Sequence, residues 1–165
     1  MNTNRISTPN AMRPSRPTIG FLVDDLTLGY QQTLWQNVLA EATRQDVNLV
    51  TVAALAIQND QKSPANFVYD LVGAYNLDGL IIATGTLFAN FEISEILDFV
   101  DQYHPISMIS IAVELDGIPS LVINNKLGMY QAVSHLISDH GYRKIAFTRQ
   151  FAGNPEAEDR YQAYV

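Results

Sequence analysis

Thr18-Ile19-Gly20-Phe21-Leu22-Val23 is a nearly unbroken apolar run that stops at two acids, Asp24 and Asp25. An apolar run of this length, without polar alternation, reads as a strand buried on both faces of a parallel sheet. The acids then stand at its carboxyl end. Downstream, Tyr30 to Asp46 reads as a helix, because Leu34, Trp35, Val38, Leu39 and Ala42 repeat at helical spacing. The same alternation continues. Strands are expected over Asn48–Leu55, Leu80–Ala83, Ile106–Ser110, Ser120–Ile123 and Lys144–Thr148. Helices are expected over Ala65–Tyr75, Phe91–Gln102 and Leu127–His140, with Gly141 as the C-cap of the last. His104-Pro105 breaks the third helix, and a final helix starts near Glu156 and runs to Val165. Strands and helices alternating at short spacing predict a Rossmann-like, three-layer α/β/α architecture around a mostly parallel sheet. Met1 to Pro17, with Pro9, Pro14 and Pro17, reads as a disordered leader or linker.

Composition narrows the function. The 165 residues are 47% apolar, enough to fill a core. The formal charge is −7, and Arg5, Arg13 and Arg16 lie in the leader while the other cations are scattered. That leaves no compact footprint for duplex phosphates, so direct nucleic-acid contact is not expected. The absence of cysteine excludes disulfides, thiolate metal sites and cysteine nucleophiles. No apolar run is long enough to span a membrane and no signal peptide is visible, so the chain is expected in the cytoplasm.

Enzyme signatures are missing, and the expectation is that this region is not an enzyme and needs no cofactor. The turn after the first strand, Asp24-Asp25-Leu26-Thr27-Leu28-Gly29, is not a dinucleotide fingerprint. There is no phosphate loop and no nucleophile elbow. The acids Asp24 and Asp25 suggest a phospho-receiver domain, but its third acid should end the third strand, where Ala83-Thr84 stands. His135 and His140 are five positions apart and His104 precedes proline, so no metal-ligand pair is expected.

In an open α/β sheet, ligands sit at the carboxyl ends of the strands. Polar groups recur there: Asp24 and Asp25, Thr84 with Gly85 and Thr86, Ser110, Asn124 and Asn125, then Arg149 and Gln150. Tyr30, at the mouth of the first helix, has an aromatic ring suited to stacking on a sugar or base. Carboxylates, amides and guanidinium groups hold hydroxyls or a polar ring. Each also has a plainer reading. Asp24, Asp25, Asn124 and Asn125 are equally suited to capping the helices that follow them. Arg160 can pair with Glu156, one helical turn earlier.

Three stretches resemble the effector-binding domain of the lac and galactose repressor family, which shares its fold with periplasmic sugar-binding proteins. They are 18–23 with the helix behind it, Leu77-Asp78-Gly79-Leu80-Ile81-Ile82, and the long run from Gly117 to Phe147 that continues through Asn154-Pro155-Glu156-Ala157-Glu158-Asp159-Arg160-Tyr161. The resemblance implies two similar lobes closing on a small polar, sugar-like ligand, and a homodimer. It implies a first lobe over 18–148, then a crossover and the first helix of a second lobe over 149–165, with the rest of that lobe outside this sequence. It places Asp24 and Asp25 in the cleft, Asn124 where the family often has Asp, and Arg160 at the family's ligand-binding arginine. The repressors' DNA-binding head has no counterpart in 1–17. Residues 67–72 and 77–87 resemble more closely a variant that serves as the sensor of bacterial kinases or cyclases. A ligand sensor for an attached signalling module is therefore the expected function, with the effector domain of a transcriptional regulator as the alternative.

Overall fold

The structure, a computed structural model, describes residues 16–27, 29–54, 56–57, 67–72, 77–88, 91–149 and 154–165. The expected leader up to residue 15, the ends of the second expected helix and Gln150 lie outside them. Strands β1 (Thr18–Val23), β2 (Asn48–Ala53), β3 (Gly79–Ile82), β4 (Met108–Ile111) and β5 (Ser120–Leu121) form one sheet in the order β2-β1-β3-β4-β5. Every ladder is parallel. The α/β class expected from the alternation is what the chain adopts.

The order follows from the apolar runs. β1 and β3, the most continuous of them, occupy the centre, where both faces are buried. Phe21, Leu22 and Val23 have no exposed surface. β2 alternates between exposed and covered residues, as an edge strand should. Gly20 and Gly79 let side chains cross these central strands closely. A Cβ on Gly20 would lie 2.5 Å from Leu77 Cδ1, and one on Gly79 would lie 2.9 Å from Ile19 Cδ1.

The helices are α1 (Gly29–Arg44), α2 (Phe67–Asp70), α3 (Thr84–Leu87), α4 (Ile93–Asp101), α5 (Asn125–Ser138) and α6 (Pro155–Tyr164). On one face of the sheet, Leu22, Leu80 and Ile82 pack with Tyr69, Ile96, Val100, Tyr103 and Ile106. On the other, Phe21, Val23 and Ala83 meet Leu34 and Trp35 of α1. Beside α1, an apolar groove of about 380 Å³ runs over Ile19, Val38, Ala42, Leu49 and Ile81.

Two features depart from the expected elements. Residues 84–87, which hold the small and polar groups expected after the third strand, form the one-turn helix α3. Residues 144–148, read as a sixth strand, are extended but join no ladder among the described residues. They pack instead on α6: Phe147 stacks on Tyr164 with ring centroids 4.9 Å apart, and the Tyr164 hydroxyl donates to Ile145 O at 2.6 Å. α5 packs on α6 rather than on the sheet. The apolar stripe of α5 is therefore only partly covered, and Leu127 and Tyr130 stay exposed.

Candidate functional site

Because all the ladders are parallel, the carboxyl ends of β1, β3, β4 and β5 share one edge. Registers Leu22↔Ile82, Ile82↔Ser110 and Ile111↔Leu121 align those ends in a row. The edge carries Asp24, Asp25, Thr84 and the segment 122–125.

At β1, both acids are engaged and neither is deeply buried. Gln31 Nε2 of α1 donates to the Asp24 carboxylate at 3.3 and 3.4 Å. Gln31 is buried, a polar residue on the inner side of a helix, and it aims the carboxylate. Asp25 Oδ1 accepts from the Thr27 backbone N–H at 2.6 Å and from the Thr27 hydroxyl at 2.8 Å. The Thr27 N–H, then its hydroxyl, hold the Asp25 carboxyl below the usual carboxylate range. Tyr30 stands half exposed at the start of α1.

The β3 end is closed. Thr84 is fully buried and its hydroxyl lies 2.8 Å from Ser110 Oγ, which in turn donates to Val113 O at 2.6 Å. The Thr84 hydroxyl, expected among the ligand contacts, ties β3 to β4.

Beyond β5, Asn124 takes the capping role: its side chain accepts from Leu127 N at 3.0 Å. Asn125 is buried and sits at the centre of a small network. Its Oδ1 accepts from Arg160 Nη1 at 2.6 Å, and its Nδ2 donates to Glu156 Oε1 and to Ile123 O, at 3.2 Å each. Arg160 is 4.0 Å from Glu156 at their nearest atoms, so Asn125 rather than Glu156 is its close partner. About a third of the Arg160 side-chain surface remains open. Lys126 and Asp159 form a parallel ion pair at 3.2 Å. Asn154 caps α6 by accepting from Ala157 N. Arg149 bonds Glu158 and lies over the Tyr161 ring, 4.4 Å from its centroid.

The structure thus brings Asn125 and Arg160 together and tethers Arg149 to the same helix. Gln31, bonded to Asp24, and Glu156, bonded to Asn125, were not among the candidate contacts. A glutamine interrupting the apolar side of α1 was the one visible signal for Gln31. His135 and His140 are also closer than their spacing suggested, because His140 lies beyond the helix end. Among the described residues no three His, Asp or Glu side chains converge as metal ligands. No described helix is long and apolar enough to cross a membrane.

Residues 16–164 match the family model described as periplasmic binding proteins and the sugar binding domain of the LacI family. No curated protein matches the chain. Among solved structures, the Escherichia coli transcriptional repressor ascG is 20% identical, with a TM-score of 0.64 over 90% of this chain and 52% of that one. The lac repressor dimer bound to operator and an anti-inducer is 16% identical, with a TM-score of 0.68 over 92% of this chain and 50% of that one. A periplasmic solute-binding protein from Actinobacillus succinogenes with bound D-allose is 18% identical, with a TM-score of 0.70 over 90% and 54%. The chain spans about half the length of these similar proteins. With nearly its whole length matched by one model, the chain belongs to the family of periplasmic binding proteins and LacI-type sugar-binding domains.

Proposed function

We propose that the chain is the effector-binding part of a LacI-type transcriptional regulator and holds a small sugar-like ligand at the carboxyl edge of its sheet. The observation that carries this reading is the match of residues 16–164 to a sugar-binding domain model. The repressors among the similar structures favour this reading over a sensor for a kinase or cyclase. Both would use the same cleft, and the difference lies in the output module. The regulator reading places the protein in the cytoplasm as a homodimer, with ligand binding rather than catalysis as its task.

We place the boundary between the lobes at residues 122–124, ahead of the position near 149 read from the sequence. The packing of α5 on α6, apart from the sheet, supports it. Asp24 and Asp25, with Tyr30 beside them, then face the cleft from the first lobe and Arg160 faces it from the second. Asn125 holds the Arg160 guanidinium in position. A planar guanidinium fork suits vicinal hydroxyls or a carboxylate. Lobe closure around the ligand would shift the balance between two states of the regulator.

Calorimetric titration of the two-lobed protein with hexoses, hexose phosphates, nucleobases and small carboxylates tests the reading. One class should give saturable heat, and Arg160→Ala should weaken it roughly 10- to 100-fold, the worth of a hydrogen bond from a charged donor. Silence across the panel would count against a sugar-like effector. An unchanged titration in the variant would remove Arg160 from the site.

A further inference from the structure

α5 ends in a turn that brings two histidines together. His135 lies in its last turn, and His140 stands just before Gly141, which adopts φ 70°. The Gly141 and Tyr142 N–H groups bond back to Ile137 O and Leu136 O, each at 3.1 Å. This reversal carries His140 back against the helix end, and its Nε2 comes to 3.1 Å from His135 Nε2. On the other side of His135, Nδ1 lies 2.6 Å from Asp139 Oδ2. The His140 ring stacks on Tyr142, with centroids 5.7 Å apart.

We propose that His135 and His140 form a two-nitrogen site for a transition-metal ion of the copper, nickel or zinc class. The carboxylate sets the tautomer. Asp139 accepts, so His135 Nδ1 carries the hydrogen and Nε2 presents a bare lone pair. In the metal-free chain, His140 Nε2–H donates to that lone pair. On binding, the His140 hydrogen moves through solvent from Nε2 to Nδ1, so the ion meets two bare nitrogens of two neutral imidazoles. Two nitrogens bound at about 2.1 Å to one ion lie roughly 3.0–3.4 Å apart, whether the geometry is octahedral or tetrahedral. The observed 3.1 Å falls in that range. The rings stand at 87° to one another, and rotation of both exposed rings about χ2 would aim the two lone pairs at one ion.

The surroundings support the site. A carboxylate on the far nitrogen is the usual outer-shell partner of a metal-bound histidine. The helix C-terminus adds partial negative charge. The opposing cation is Arg143, whose Nη1 is engaged with Ile137 O and Tyr142 O. Both rings are exposed, so water completes the coordination. Two imidazoles select nitrogen-seeking ions over magnesium and calcium, and copper should bind more tightly than nickel or zinc. The site does not depend on the identity of the cleft ligand.

The test is titration of the full chain, without an affinity tag, with Cu²⁺ and Zn²⁺ by calorimetry, plus electron paramagnetic resonance of the Cu²⁺ form. The expected result is one ion per chain with two nitrogen donors in the spectrum. His135→Ala and His140→Ala should each abolish it. Asp139→Asn should weaken it roughly 10- to 100-fold. His104→Ala should leave it unchanged. All four positions are exposed, and circular dichroism checks that each variant is folded. No saturable uptake, or equal uptake by wild type and His135→Ala, overturns the proposal and leaves a pair that only shares a proton.

Discussion

Gly85 shows how little room the strand-end edge has. A Cβ there would lie 2.6 Å from the Cβ of Ala112, too close for two carbons without movement. Ala112 itself adopts φ 75°, a conformation that suits glycine better than alanine. Gly85→Ala should therefore cost about 1–3 kcal/mol of stability by overpacking. Combining it with Ala112→Gly should restore most of the loss, since that change removes the methyl and relaxes the backbone. Urea denaturation of the single and double variants checks this. An unchanged midpoint for Gly85→Ala would mean that α3 and the end of β4 separate freely. At this scale, residue type alone left the role of Thr84 open. A threonine at a strand end looks like a ligand contact, and only the approach of Ser110 from a neighbouring strand reveals where its hydroxyl is used.

Asn124, which the sequence left open between cap and ligand contact, caps α5, and Asn154 caps α6 in the same way. Gly141 ends α5 in the left-handed conformation expected of it. Asn124 carries a prediction at this scale. Asn124→Ala should lower stability by about 1 kcal/mol, because the Leu127 N–H loses its acceptor. Asn124→Asp should hold or raise stability, since aspartate caps as well and its charge favours the helix N-terminus. Thermal unfolding of the two variants decides it. Equal losses would show that the amide's Nδ2 matters more than its oxygen. The extended stretch 144–148 was legible as extended backbone, but not as standing outside every ladder among the described residues. Its apolar pattern is that of a strand, and pairing depends on a neighbour that local sequence does not specify.

Across the molecule, Tyr69 joins distant parts of the chain. Its hydroxyl donates to Val23 O at 2.8 Å and accepts from Ala54 N at 3.2 Å, while Tyr103 donates to Tyr69 O at 3.1 Å. The ends of β1 and β2 are thereby pinned to α2 and to the turn after α4. Only 1% of Tyr69 is exposed. Burial pushes its hydroxyl up to about 12, against the pull of the Ala54 N–H. Burial raises Tyr103 as well. An unfolded tyrosine ionises near pH 10, so above that pH the native state holds a proton that the unfolded chain has lost. The stabilisation is complete below about pH 10 and falls away as pH rises toward 12, by about 3 kcal/mol for Tyr69. Urea unfolding at several alkaline pH values should show this decline in wild type and a flatter one in Tyr69→Phe. Equal slopes would remove Tyr69 from the alkaline transition.

The sequence by itself determined the α/β class, the two-sided burial of β1, the glycine turn after α5 and the acids at the end of β1. Each depends on apolar run length or on a single residue's local geometry, and both are written in neighbouring positions. Only the tertiary structure decided that Asn125 grips Arg160, that Thr84 is spent on Ser110, that Gln31 orients Asp24, and that His135 and His140 face one another. Two of these contacts join residues far apart in the chain, and His140 reaches His135 only where the helix has ended. Their partners are set by how elements pack and turn, which no local pattern encodes.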